Sequence, residues 1–160
     1  MLRWAFRMAR LQRTGNLVVA ALGPLIQNSR QRLRGIPDTA WLDPYMLGFM
    51  AMLITTLART EQRSLSEADL SFIQAHAWSG LTDMDADLFG REVMLLAEAH
   101  DERFRRGCSD AESVAHSLIL RRISERFDTL GSEAEEVPAA WETTFDLRVA
   151  SILAAWPAAS

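Results

Sequence analysis

Two of the three histidines, His100 and His116, fall on apolar seams at helical spacing, and each stands eight residues from Cys108. One seam runs Phe89, Val93, Leu96, His100, Phe104, and the other His116, Leu120, Ile123, Phe127, Leu130. A tight turn at residues 107–109 would fold these seams into an antiparallel hairpin and set both imidazoles at one level. Glu112, one turn before His116, and Asp101, beside His100, would then stand close by. Two imidazoles and a carboxylate could bind a divalent cation or form a pH-sensitive contact, because imidazole titrates near neutrality. The competing arrangement packs each ring on its neighbours and gives its N–H to a backbone carbonyl. The predicted metal ligands are therefore His100, His116 and Glu112, and no cofactor beyond such a cation is expected. His76, beside Trp78, is weighed in the same way.

Other chemistry finds little footing. The chain has no Gly-rich phosphate loop, no dinucleotide fingerprint, no HExxH and no Cys/His zinc spacing. The Glu-x-x-His pair of helix-bundle di-iron sites is also missing. Cys108 is the single cysteine, so no intramolecular disulfide can form, and a reducing, cytoplasmic setting fits best. Placed in the expected turn, it reads as a surface thiol and not as a nucleophile. No catalytic residue is predicted, and the chain reads as a non-enzymatic interaction or accessory protein, with self-association or a protein partner expected.

Charge is distributed unevenly. Before Asp38 there are seven arginines and no acid; from Asp38 onward ten arginines face all twenty-one acids, and there is no lysine anywhere. Opposite charges within one chain attract, so the basic arm at residues 1–35 is expected either to lie back on the acidic body or to meet an outside partner. Its first helix places Trp4, Met8 and Leu11 on a stripe with Arg3, Arg7 and Arg10 beside it, which also suits an anionic membrane surface. These six residues are the expected contact set, and a peripheral membrane protein is one alternative function, a metal-binding or pH-sensing protein using His100 and His116 the other. Nucleic acid is not expected, since "NSRQRLR" has no interleaved aromatic to stack on bases. The basic start followed by "LVVAALGPLI" imitates a secretory leader, but Gly23-Pro24 interrupts it and no small-x-small site follows, so no cleavage is expected.

Helix signals recur along the whole chain, and no alternating strand stands out. The first helix is predicted over residues 2–13, ended by Gly15-Asn16; the next, 17–34, is bent or broken at Gly23-Pro24. Asp43-Pro44 starts the helix at 44–60, in which the stretch Tyr45 to Ala58 carries no charge. Fourteen residues span roughly 21 Å at helical rise, short of the roughly 30 Å of a bilayer core. Such a rod is expected at the centre of a bundle, covered by other helices. Further starts are Ser64 with Glu67 or Ser66 with Asp69, Thr82 with Asp85 for a helix to about Arg106, Ser109 with Glu112 for residues 110–130, and Ser132 with Glu135 after Gly131. The last helix has Pro138 near its start, shows Trp141, Phe145, Val149, Ile152 and Trp156 on one face, and stops at Pro157. The expectation is an all-α, single-domain bundle of seven or eight helices spanning residues 1–160.

The stretch "FMAMLITTLARTEQRSLSEADLSFI", residues 49–73, resembles the repeat of TerB-like (tellurite-resistance-type) helical domains, with Ala58, Glu61, Ser66 and Asp69 in comparable places. The resemblance implies a compact all-helical fold and a metal role for acidic residues at this turn, here Glu61 and Asp69. The family's Asp-Gly pair reads Glu61-Gln62 in this chain.

Overall fold

The computed structural model describes residues 2–126 and 136–155, and for side chains residues 4–123 and 137–155. These residues form an all-α bundle of seven helical rods: α1 (Leu2–Arg32), α2 (Asp38–Trp41), α3 (Pro44–Glu61), α4 (Glu67–Thr82), α5 (Ala86–Glu98), α6 (Glu102–Arg126), and a last rod made of α7 (Glu136–Trp141), a π-helical turn (Glu142–Asp146) and α8 (Leu147–Ala155).

The uncharged segment is the central helix, α3. Asp43 caps it by accepting from Tyr45 N at 3.0 Å, and Pro44 sits where its missing donor costs nothing. Residues Tyr45 to Ala51 are all buried, as are Leu53, Ile54, Leu57 and Ala58. The cover comes from neighbouring helices, chiefly α6, which packs along the whole length of α3. Arg103 pairs with Asp43 near the start of both helices and Arg122 with Glu61 near their ends, so α3 and α6 run parallel. Their close approach is made by two glycines. A Cβ on Gly48 would lie 2.1 Å from the carbonyl oxygen of Phe104, and one on Gly107 2.0 Å from that of Tyr45. The contacts are reciprocal: each glycine meets the carbonyl three residues before the other. Around this seam pack Trp41, Phe49, Trp78, Phe89, Trp141 and Phe145, with Trp78 stacked on Phe89 at 4.2 Å and Trp141 on Phe145 at 4.4 Å.

Four sequence expectations fail here, two of them through glycine. The first two predicted helices are one: α1 continues through Gly15, Asn16, Gly23 and Pro24 to Arg32. Gly15 is no helix stop; a Cβ there would come within 2.5 Å of the His76 ring, so its smallness lets α1 lie close to α4. Pro24 faces solvent, as does Ala20, whose carbonyl has lost its partner, while Leu22 and Ile26 on the other side stay in the core. Water can satisfy that carbonyl, and the buried stripe carries the helix past it.

Gly107 is likewise not a turn. The break falls at residues 99–101, where His100 takes a left-handed conformation (φ 51°) and the Asp101 carboxylate accepts from Phe104 N at 2.8 Å to start α6. Ser109 and Glu112, read as a capping box, lie inside α6. Thr82 is buried at the end of α4, donating to Trp78 O; Asp85 caps α5 instead. The restart at Gly131 and Ser132 and the stop at Pro157 lie outside the described residues.

Of the two boxes offered before α4, Ser66 with Asp69 is the one formed. Arg7 of α1 adds itself to that box, its Nε donating to Asp69 Oδ1 at 2.9 Å. The bond from Arg7, with that from Ser66, holds the Asp69 carboxyl below its ordinary range. A depressed carboxylate pKa contributes stability that is complete above the unfolded value near 4 and lost as pH falls through the folded value. Arg7→Gln is therefore expected to be less stable than the parent at neutral pH, with the gap closing in acid. Urea midpoints measured from about pH 7 down to about pH 2 check this, and a gap that stays constant would refute the coupling.

Candidate functional site

The chemistry expected at His100 and His116 is not assembled. His100 lies exposed in the α5–α6 turn, and His116 sits on the outer face of α6, fourteen residues into the chain from Glu102 and so roughly 20 Å along the helix. Glu112 is exposed on the same helix. Among the described residues no three His, Cys, Asp or Glu side chains gather as a metal site would need. Both residues singled out by the family resemblance are held in ion pairs, Glu61 with Arg122 and Asp69 with Arg7. His76 meets Asn16 Oδ1 at 2.8 Å and stacks on Phe72, which makes it a contact between α1 and α4.

Cys108 is also displaced from its expected surface turn. It is half-buried inside α6, with Sγ 3.4 Å from Gly48 O, and burial raises its thiol pKa. A thiol held protonated under a carbonyl is a packing group.

What the fold does assemble is a cleft of about 420 Å³ between the N-terminal end of α3, the middle of α6 and the last rod. Its floor is Tyr45, whose hydroxyl donates to Asp110 Oδ2 at 2.8 Å. Burial, and then the bond to Asp110, raise the Tyr45 phenol above its ordinary range, so it remains a neutral donor. Arg148 of α8 lies over the Tyr45 ring with Cζ 4.5 Å from its centre, a cation–π contact. Its Nη2 reaches only 4.0 Å from Asp43 Oδ1, and Asp43 is already paired with Arg103. The Nε of Arg148 is buried without a hydrogen-bond partner among the described residues. Arg106 stands on the opposite wall, exposed and in no ion pair with a described residue.

The π-helical turn shapes one side. π-turns are rare and gather at functional sites, because the widened backbone re-aims the side chains around it. Here Trp141, Phe145 and Val149 stay in the core while Thr144, Leu147, Arg148 and Ser151 line the cleft. The signals that could have revealed this site are faint: Tyr45 is the only tyrosine, and Arg148 is the only charged side chain after Asp146.

The basic arm divides into paired and unpaired parts. Arg7 meets Asp69, Arg30 lies 3.9 Å from Asp83, and Arg32 meets Asp146 and Glu142. Arg10 and Arg13 are exposed and unpaired among the described residues, and the Arg3 side chain lies outside them. Of the apolar contact set, Leu11 is buried and Met8 packs against the core, whereas Trp4 and the neighbouring Phe6 are 69% and 72% exposed. Among the described residues no helix is long and apolar enough to cross a membrane. Comparison with protein-family models, with curated proteins and with solved structures finds no match for this chain.

Proposed function

We propose that this chain is a non-enzymatic helical interaction protein that assembles with copies of itself, the N-terminal end of α1 in one copy seating on α5 of the next. The observation that carries the reading is the exposed Trp4. It extends the stripe of α1 that is buried further along at Leu11, Val18, Leu22 and Ile26. Because Arg7 pairs with the first turn of α4, the residues before it project past that helix and Trp4 loses its cover. Phe6 lies roughly 200° around the helix from Trp4, beside unpaired Arg10 and Arg13. An in-plane membrane helix would bury one of these aromatics and not both.

A complementary surface exists on the same chain. Met94 and Leu95 of α5 are 64% and 58% exposed. Residues 85–102 around them hold six acids and one arginine, against seven arginines and no acid in residues 1–37. An aromatic, basic helix end and an apolar, acidic helix face suit each other in both apolar area and charge. The contact joins two different surfaces, so it closes a two-fold dimer where both copies reciprocate it and builds rings or filaments where they do not.

Sedimentation velocity over a concentration series tests this. Self-association at low ionic strength is expected, weakened by salt because exposed charges are screened. It should be lost in Trp4→Ser/Phe6→Ser and equally in Met94→Ser/Leu95→Ser. A chain that stays monomeric, or assembles unchanged in both variants, overturns the reading. So does a monomer that co-sediments with anionic vesicles through Trp4 and Phe6.

A further inference from the structure

The geometry points to a second binding activity, independent of self-association: the cleft over Tyr45 takes the oxyanion of a small phosphate monoester. Two guanidiniums, Arg106 and Arg148, face it against one carboxylate, Asp110, which is occupied by the Tyr45 hydroxyl. The next carboxylate, Asp43, is neutralised by Arg103. The local balance therefore favours an anion. The hydroxyls of Ser113 and Ser151 on the walls make no hydrogen bond with described residues and add neutral donors that an oxyanion accepts readily.

Arg148 supplies the independent observation. Its guanidinium is fixed over the Tyr45 ring, yet among the described residues its nearest carboxylate oxygen is 4.0 Å away. The remaining guanidinium donors of Arg148, which is only partly covered and makes no close carboxylate contact with a described residue, can turn to an oxyanion in the cleft. Planar guanidinium forks match phosphate oxygens in pairs, which lysine cannot do. The volume, about 420 Å³, lies in the range of small-molecule sites, and the exposed Leu147 on the rim offers an apolar contact to the organic part of such a ligand. The π-turn that builds this wall is itself a feature that collects at binding sites.

The test is calorimetric titration of the full chain with phenyl phosphate at fixed ionic strength. Arg106→Gln and Ser151→Leu serve as variants, because both positions are exposed and neither side chain is tied into the fold. Saturable binding is expected, about tenfold weaker or more in Arg106→Gln as a charge-assisted pair is lost. It should be abolished in Ser151→Leu, where the larger apolar side chain fills the cleft. Arg63→Gln removes an equal charge at an exposed position outside both surfaces and should leave the affinity unchanged. A lipid phosphate offers the same oxyanion, so vesicles carrying phosphatidate form a parallel arm. Binding to vesicles alone, lost in Arg106→Gln, assigns the phosphate to a lipid, and binding of phenyl phosphate assigns it to a soluble ester. No saturation in either arm, or equal loss in Arg63→Gln and Arg106→Gln, overturns the proposal, whatever the assembly state of the chain.

Discussion

Gly107→Ala is expected to destabilise the fold by about 3 kcal/mol or more, at the upper end of what overpacking costs, because the added methyl meets backbone and not a movable side chain. Its Cβ would stand 2.0 Å from the Tyr45 carbonyl oxygen and 2.9 Å from Phe49 N, so α3 and α6 must part for it to fit. Parting them loosens contacts along the whole seam. The reciprocal change, Gly48→Ala against the Phe104 carbonyl, should cost a similar amount. Gly90→Ala is the control. It introduces the same methyl into α5, where nothing lies within 4 Å, and should stabilise by roughly 0.5 to 1 kcal/mol through lower backbone entropy. Thermal midpoints separate these cases, at roughly 2–4 °C per kcal/mol for a chain near this size. Equal effects at Gly107 and Gly90 would refute the close helix crossing.

The second large effect is expected at Asp146. This carboxylate, buried on the last turn of the π-helical segment, accepts from Ser29 Oγ and from Arg32 Nε, the latter at 2.7 Å, while Trp141 Nε1 donates to Ser29 Oγ at 2.8 Å. The four side chains join the C-terminal end of α1 to the last rod across more than a hundred residues of sequence. Asp146→Ala leaves the Ser29 hydroxyl without its carboxylate and the Arg32 head with Glu142 as its remaining carboxylate, and should cost about 2 to 4 kcal/mol. Asp146→Asn keeps the shape and one acceptor and should cost less. Ser29→Ala, which orphans the buried indole N–H, should cost about 1 to 2 kcal/mol and combine with Asp146→Ala less than additively, because both act on one network. Urea denaturation of the two single variants and the double variant reads this out. Strict additivity would show that Ser29 and Asp146 act separately.

Both effects lie where residue identity carries little information in advance. Gly48 and Gly107 look like weak points in helices until the carbonyls of Phe104 and Tyr45 are placed against them. Asp146 looks like an ordinary surface acid until Ser29 and Arg32 arrive from the other end of the chain. The same holds for the cleft. Tyr45, Arg106 and Arg148 come from three different rods, and no spacing in the sequence links them.

The all-helical class, the start of the central helix at Asp43-Pro44, its burial by sibling helices and a capping box before α4, as one of two overlapping candidates, were legible in the sequence. Each depends on residues within a turn or two of one another: a cap, a proline, an uninterrupted apolar run. The continuity of α1 through Gly15 and Pro24, the chain reversal at His100 in place of Gly107, the dispersal of His100, His116 and Glu112, and the meeting of Arg148 with Tyr45 were decided by tertiary structure alone. A glycine signals either a bend or a close approach, and a histidine on an apolar seam either a ligand or a turn. The choice depends on the atoms across the gap, which only the packed helices bring within reach.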